Sequence, residues 1–295
     1  MSILIDQNTK ILVQGITGHQ GVLHTKIMKE YGTQIVSGVT PGKGGTRIEN
    51  IPVYNTVREA CKQHNPTWSI LFVPKEQTKQ AAEEALQHDL NIVIITEHIP
   101  VHDVITIKEE AKKRNKMMIG PNSPGMINPG ETKLGIMPHQ FFKKGNVGVL
   151  SRSGTLTYEI ANYLTEAGLG QSTVIGIGGD AINGFSFIDG LKEFAKDKKT
   201  KAVVLVGEIG GTAEEDLAQF LKETNYQKKY KKTIVAYIAG KTAPAGKKMG
   251  HAGAVISGTK GTAATKITAL QKASVQCANT PQEVPKMLTK LLKNA

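Results

Sequence analysis

The chain has 295 residues, enough for two domains of ordinary size with hydrophobic cores. Hydrophobic residues make up 39% and charged residues 21%, and no apolar run approaches the roughly 20 residues that a membrane-spanning helix needs. The net charge of +12 suits anionic ligands, but the lysines are scattered, aromatic residues are only 5%, and we find no nucleic-acid-binding motif. We therefore expect neither a membrane nor a nucleic acid as partner.

Short aliphatic runs alternate with amphipathic stretches along the whole chain. Strands that are buried on both faces are predicted at 10–13, 34–39, 69–73, 91–95, 117–119, 146–150, 173–177, 202–206, 234–239 and 274–278. Helices are predicted at 22–31, 76–88, 104–113, 156–167, 187–195, 214–222 and 281–292. Such alternation predicts an α/β protein with parallel sheets and right-handed crossovers.

A turn-rich segment divides this pattern. Residues 121–130 read PNSPGMINPG, with three prolines and two glycines, and five predicted strands lie on each side. We predict a first domain at 1–122, a Pro/Gly-rich connection at 123–145 and a second domain at 146–295. The basic stretch YQKKYKK at 226–232 is interpreted as a surface loop.

Two loops of the first domain have the composition of a phosphate site. GITGHQG (15–21) follows the first strand, and its glycines let backbone N–H groups approach a phosphate at a helix N-terminus. After the second strand, where a dinucleotide site carries an acid for the ribose, the chain has TPGKGGT with Lys43. A cation suits a phosphorylated ribose, as in NADP or coenzyme A.

The second domain carries residues suited to phosphoryl transfer. SRSGTLTY (151–158) opens a helix after a strand and forms another anion site, and Glu208 ends a strand among glycines. His251 follows the Gly- and Lys-rich segment 240–250, where we expect an exposed ring with Lys247 and Lys248 beside it. Glu208, with little packing role of its own, would hold one ring nitrogen and leave the other free to attack a phosphoryl group.

These motifs resemble those of the α subunit of succinyl-CoA synthetase (succinate–CoA ligase, ADP- or GDP-forming). GITGHQG, GVTPGKGGT, ITEHIP, IGPNSPG, VGVLSRSGTLTYE, IGIGGD, GEIGGTAEED and GKKMGHAGA occur in the family's order over nearly the whole chain. The resemblance implies a Rossmann-like CoA-binding domain followed by a flavodoxin-like parallel-sheet ligase domain. It also implies an enzyme of the tricarboxylic acid cycle that forms a phosphohistidine.

The resemblance assigns roles to individual residues. It implies coenzyme A contacts for Thr17, Gly18, His19, Gln20, Lys43, Ile95, Thr96 and Glu97. It implies acyl or phosphate contacts for Tyr158, Ser153, Gly154 and Ser123, where Ser123 replaces the family's cysteine. It makes His251 the phosphorylated residue and Glu208 its partner, and it implies no metal bound by this chain.

The resemblance also implies a second subunit. The chain has no GxxxxGK[ST] motif, so we expect ADP/ATP or GDP/GTP, with Mg²⁺, on an ATP-grasp β subunit in an αβ or α2β2 assembly. The alternatives are a related malate- or citrate-type CoA ligase subunit and a non-catalytic CoA- or NADP-binding protein. The start MSILIDQNTKILV has no leader pattern, and Cys61 and Cys277 have no metal spacing, so we expect a cytoplasmic location, or the mitochondrial matrix for a processed chain.

Overall fold

The computed structural model describes residues 3–244, 249–256 and 261–293. The first sheet has the order β3-β4-β2-β1-β5-β6-β7 and is parallel except for the β3–β4 pair. Its strands are β1 (Ile11–Gln14), β2 (Ile35–Val39), β3 (Arg47–Ile48), β4 (Ile51–Tyr54), β5 (Trp68–Leu71), β6 (Asn91–Ile94) and β7 (Met118–Ile119). The helices between them are α1 (His19–Glu30), α2 (Val57–His64), α3 (Lys75–Gln87) and α4 (Val101–Lys113).

The second sheet has the order β14-β13-β12-β10-β11-β8-β9. Its strands are β8 (Gly125–Asn128), β9 (Thr132–Gly135), β10 (Lys144–Ser151), β11 (Gln171–Gly176), β12 (Ala202–Glu208), β13 (Thr233–Ala239) and β14 (Gln276–Ala278). The helices are α5 (Gly154–Glu166), α6 (Phe187–Lys196), α7 (Ala213–Thr224), α8 (Tyr226–Tyr230), α9 (Ala263–Lys272) and α10 (Glu283–Lys293), with a 3-10 turn at His139–Phe141. Five strands run parallel, while β8 and β9 are antiparallel to their neighbours. The predicted α/β fold class is confirmed.

Local sequence explains where these elements begin. The parallel strands are continuous aliphatic runs, and β1 and β12 are buried at every position, as expected for strands covered by helices on both faces. Thr56 caps α2 by accepting a hydrogen bond from the backbone N–H of Glu59 at 3.2 Å. Ser186 and Asp189 form a reciprocal capping box at the start of α6.

The segment 123–145 corrects our expectation of a connection. It contains β8 and β9, and β8 pairs antiparallel with β11, so the second sheet begins inside the predicted linker. The strand β9 packs on α1: the Met28 sulfur accepts from the Gly135 N–H at 3.4 Å, and the Thr33 hydroxyl donates to the carbonyl of Lys133 at 2.6 Å. One apolar core accordingly includes side chains from both sheets.

The segment 226–232 also differs from the prediction of a surface loop. It forms the short helix α8, in which Tyr226 is buried and its hydroxyl donates to the carbonyl of Leu191 at 2.6 Å. Lys232 is buried as well, and its ammonium donates hydrogen bonds to the backbone carbonyls of Asp197 and Thr200. Among the helices of the described ranges, none is long and apolar enough to cross a bilayer.

Candidate functional site

A cavity of about 830 Å³ lies between the two sheets, at the carboxyl ends of several parallel strands. It brings together ten of the predicted site residues. The wall includes Gly18, His19, Gln20, Ile95, Thr96 and Glu97 from the first domain, and Ser123, Gly154, Tyr158 and His251 from the rest of the chain. Residues assigned separately to coenzyme A binding and to phosphoryl transfer therefore line the same cavity.

Two helix N-termini meet at this cavity. Gly18 precedes α1, and Gly154 begins α5 after Ser153, whose hydroxyl accepts from the backbone N–H of Leu156 at 3.4 Å. The first N–H groups of a helix have no partner within the helix and carry a partial positive charge. The cavity can therefore hold anionic groups at both of its ends.

Thr17 and Lys43 lie beside the cavity but are not part of its wall. Thr17 donates its hydroxyl to that of Thr40 at 3.2 Å, and the backbone N–H of Lys43 donates to the Thr40 carbonyl at 3.1 Å. These contacts tie the two predicted phosphate loops together. Lys43 is exposed, so its ammonium is free to reach a ligand that extends out of the cavity.

His251 and Glu208 form the pair that the sequence predicted. The two atoms Nδ1 of His251 and Oε2 of Glu208 are 2.7 Å apart. Our expectation of an exposed histidine was wrong, because only 29% of its side chain is exposed. The expectation of a lightly packed Glu208 was also wrong: its side chain is 7% exposed and lies 3.5 Å from Arg152.

The pair controls which ring nitrogen can react. The pKa of His251 lies above its ordinary value, because the hydrogen bond and charge of Glu208, with Asp180, raise it more than burial and Arg152 lower it. An ionised carboxylate only accepts hydrogen bonds, so Nδ1 carries a proton and donates it to Glu208. In the neutral ring Nε2 then keeps its lone pair and is the nucleophilic atom.

Two glycines make room for the histidine. A Cβ atom at Gly179 would lie 2.4 Å from Cγ of His251, so the ring packs directly on this backbone. Gly210, with φ of +90°, approaches the backbone of Gly253 so closely that a Cβ there would lie 2.0 Å from its carbonyl oxygen. The N–H of Gly253 donates to the carbonyl of Gly179 at 3.1 Å. Lys247 and Lys248, expected beside the ring, lie outside the described residues.

Tyr158 and Ser123 have different environments. Burial raises the pKa of Tyr158 to about 12, so it stays a neutral hydrogen-bond donor. A Cβ at Gly154 would lie 3.7 Å from its hydroxyl, which places that hydroxyl at the start of α5. The Ser123 hydroxyl is used within the protein: it donates to the Gly176 carbonyl at 2.6 Å and accepts from the Gly125 N–H at 2.9 Å.

Sequence reasoning missed several residues around the site. Arg152 lies inside the quoted SRSG motif but had no assigned role, although its guanidinium lies beside Glu208 and Glu214. His24 and Phe72 stack in the cavity wall with ring centroids 5.6 Å apart. The position of Arg152 directly after a strand was a usable signal, whereas His24 and Phe72 meet only through the tertiary fold.

Comparison with protein families agrees with the geometry. A family described as a CoA binding domain matches residues 6–98, and one described as CoA-ligase matches residues 150–276. The first match covers the loops at α1 and Lys43, and the second covers Arg152, Glu208 and His251.

Curated relatives match the entire chain. A protein from Staphylococcus epidermidis named succinate–CoA ligase [ADP-forming] subunit alpha is 53% identical over 296 residues, covering 100% of this chain and 96% of its own length. A protein of the same name from Staphylococcus aureus is 52% identical with the same coverage. The chain belongs to the succinate–CoA ligase α-subunit family.

Solved structures of more distant proteins share the fold of this succinate–CoA ligase α-subunit family member. An ATP citrate lyase from Methanothrix soehngenii, in complex with citrate and coenzyme A, matches with a TM-score of 0.86 and 26% identity over 98% of this chain. The chain spans about half of that lyase, 51% of its length. A dinucleotide-forming acetyl-coenzyme A synthetase from Ca. Korarchaeum cryptofilum, at 17% identity and a TM-score of 0.74, shares the fold over 92% of this chain and 58% of its own.

Proposed function

We propose that this protein is the α subunit of an ADP-forming succinate–CoA ligase, an acid–thiol ligase that interconverts succinyl-CoA, ADP and phosphate with succinate, CoA and ATP. The observation that carries the proposal is the His251–Glu208 hydrogen bond of 2.7 Å in a cavity whose other wall is the CoA-binding domain. Relatives that are more than half identical carry this name, so the malate- or citrate-type ligase and the pure binding protein are not favoured.

Coenzyme A would lie along the first domain. Its pyrophosphate suits the N-terminus of α1 at Gly18, His19 and Gln20, with Thr17 supporting the loop and Lys43 reaching the phosphates from outside the cavity. The backbone and side chains of Ile95, Thr96 and Glu97 would line the adenosine side. The thiol end then points toward Ser123 and Tyr158, where the acyl group would be held.

The chemistry would proceed through two group transfers. An oxygen of inorganic phosphate, held at the α5 N-terminus by Ser153 and Gly154, attacks the thioester carbonyl; the C–S bond breaks and the CoA thiolate takes up a proton. Nε2 of His251 then attacks phosphorus of the acyl phosphate, and the P–O bond breaks to release succinate. Nδ1 of His251 keeps its proton and donates a hydrogen bond to Glu208, whose charge stabilises the phosphorylated ring.

The final transfer needs a partner subunit. The relatives are named as α subunits, and this chain lacks a GxxxxGK[ST] motif. We infer that a β subunit of the ATP-grasp type binds the nucleotide with Mg²⁺, in an αβ or α2β2 assembly in the cytoplasm. The nucleoside diphosphate would take the phosphoryl group from Nε2 with cleavage of the P–N bond.

The test is to label the chain, co-purified with its β subunit, using γ-labelled ATP. We expect an acid-labile, base-stable label on His251, and loss of both label and turnover in His251→Asn with CoA binding retained. His102→Asn, an exposed histidine on α4 outside the cavity, is the matched control and should behave as wild type. A label on Ser153, or turnover by the His251→Asn variant, contradicts the mechanism, and assays with malate and citrate test the choice of acid.

A further inference from the structure

A row of buried charges continues behind the His251–Glu208 pair. Arg152, directly after β10, has a side chain only 7% exposed; its Nη2 lies 3.5 Å from Oε1 of Glu208 and its Nη1 lies 3.4 Å from Oε1 of Glu214. Glu214, in α7, contacts the ammonium of Lys266 in α9, and both side chains are buried. Charges of alternating sign therefore run from the reactive histidine to a helix on the far side of α7.

Arg152 contacts two carboxylates in different ways: it donates a hydrogen bond to Glu214 at 3.4 Å, and it forms an ion pair with Glu208 at 3.5 Å. Oε1 of Glu208 is buried and has no hydrogen-bond partner within the described ranges, so the guanidinium 3.5 Å away acts on it through its charge. Nη1 of Arg152 also donates to the carbonyl of Gly210 at 3.3 Å. The guanidinium is thus held by hydrogen bonds to Gly210 and Glu214 and lies beside Glu208.

Lys266 and the backbone hold the second acid in place. The Lys266 ammonium also donates to Glu215 and to the carbonyl of Gly211, each at 3.0 Å. The N–H of Glu208 donates to Oε1 of Glu214 at 3.2 Å. Glu214 is therefore fixed from both sides, and its position determines how much of the guanidinium charge is left for Glu208.

The proposed reaction requires a neutral His251 ring with a lone pair on Nε2, and these contacts influence whether the ring is neutral. A carboxylate on Nδ1 favours the imidazolium ion, which has no lone pair on Nε2 and cannot accept a phosphoryl group. The charged groups nearest the ring in the second domain are Glu208, Arg152 and Asp180. From the opposite wall of the cavity the titratable side chains are His19, His24, Lys75, Glu97 and His98. Of these three second-domain groups, Arg152 is the one whose charge lowers the pKa of His251.

We propose that Arg152, set in place by Glu214 and Lys266, is a positioning residue that partly offsets the charge of Glu208 and so increases the fraction of neutral His251 rings with a free Nε2. The inference rests on the proposed phosphorylation of His251, but the property that Arg152 controls exists in the unphosphorylated protein. It also explains why an arginine, whose charge is permanent, occupies this buried position.

Histidine NMR of the full chain, labelled with ¹⁵N in the imidazole rings, tests the proposal directly. The His251 signal is assigned by its absence in His251→Asn and followed through a pH titration. Arg152→Gln should raise the pKa of His251, because Glu208 then acts on the ring unopposed. Glu214→Gln should lower it, because one negative charge is removed and the guanidinium becomes free to pair fully with Glu208.

The opposite signs separate this role from a structural one. Both substitutions disturb the same buried cluster, so loss of packing alone would not move the pKa in opposite directions. Arg152→Lys keeps the charge and should stay near the wild-type titration. Shifts of the same sign in Arg152→Gln and Glu214→Gln, or no shift in either, overturn the proposal. If Arg152→Gln does not fold, Glu214→Gln alone decides. A lower pKa of His251 in that variant supports the proposal, and an unchanged or higher pKa of His251 overturns it.

Kinetics of the complex with the β subunit provide the functional readout. Phosphorylation of His251 by ATP in Arg152→Gln should fall roughly threefold to tenfold near pH 6 and recover as the pH rises above the higher pKa. A uniform loss at all pH values contradicts control through proton occupancy. If wild-type His251 is never phosphorylated, the proposed function fails, while the NMR titration still reports whether Arg152 sets the charge of the ring.

Discussion

Gly179 lies against the ring of His251, and an alanine there tests whether the position of this ring matters. The added Cβ would lie 2.4 Å from Cγ and 2.7 Å from Nδ1 of His251. The ring would have to retreat by about 1 Å to reach an ordinary contact distance. The hydrogen bond to Glu208, now 2.7 Å between Nδ1 and Oε2, would then lengthen beyond a useful distance.

The expected effect of Gly179→Ala is a large kinetic loss with little change in folding. A misplacement of about 1 Å at a reacting group costs on the order of 10²-fold in rate, equivalent to about 3 kcal/mol in the activation free energy. The assay is rapid-quench measurement of His251 phosphorylation by ATP in the complex with the β subunit. Thermal melting should show a folded protein, because the backbone hydrogen bonds of Gly179 to Asn122 and Gly253 do not involve a side chain.

The matched control is Gly154→Ala, because Gly154 would hold phosphate through its backbone N–H, which an alanine keeps. Its Cβ would meet the Tyr158 hydroxyl at 3.7 Å, an ordinary contact in the wall of the same cavity. We expect phosphorylation within a few-fold of wild type in this variant. Wild-type rates in Gly179→Ala would refute the reasoning, because the ring would then have moved without consequence or would not be the acceptor.

Three further substitutions test two residues of the site and one buried lysine outside it. Glu208→Gln should shorten the lifetime of the phosphorylated species and lower the free energy of unfolding by about 1–3 kcal/mol, because Arg152 loses one buried partner; chemical denaturation and label decay measure these effects. Lys43→Glu should weaken CoA binding by on the order of 1–3 kcal/mol in calorimetry, and unchanged affinity would remove Lys43 from the site. Burial lowers the pKa of Lys133 to about 8, from 10.5. Because the folded-state value is below the unfolded one, wild-type stability should rise as the pH increases from about 8 to about 10.5. Lys133→Met should therefore stabilise the protein by on the order of 2–3 kcal/mol at neutral pH, and a gain that persists unchanged at pH 11 would contradict this origin.

The predicted strands agree with the structure where burial on both faces requires a continuous aliphatic sequence. The strands β1, β5, β10 and β12 are continuous aliphatic runs covered on both faces, so their sequences carry the signal by themselves. The strands β8 and β9 were missed because GMIN and TKLG are short and lie among prolines and glycines. Their strand character comes from pairing with β11 and packing on α1, which local sequence does not encode.

The pairing of His251 with Glu208 was predictable because Glu208 ends β12 and His251 lies in the segment after β13, and the carboxyl ends of neighbouring parallel strands share one edge. The environment of the pair was not predictable in the same way. A histidine among glycines and lysines reads as exposed, yet Gly179 and Gly210 let the backbone of two loops close around it. The contacts of Arg152 with Glu208 and Glu214, at 3.5 and 3.4 Å, join three segments of the chain that only the packed structure brings together.

The packing of β9 on α1 also affects how the chain is made. A ribosome releases residues 1–122 before residues 132–135, so the face of α1 that carries Met28 has no cover while the first sheet is forming. The hydroxyl of Thr33 likewise gains its hydrogen-bond acceptor, the carbonyl of Lys133, only when residues one hundred positions later have been synthesised. The first domain therefore completes its surface only when the second has begun to emerge, and a fragment ending at 122 would lack the contacts that β9 makes with Met28 and Thr33.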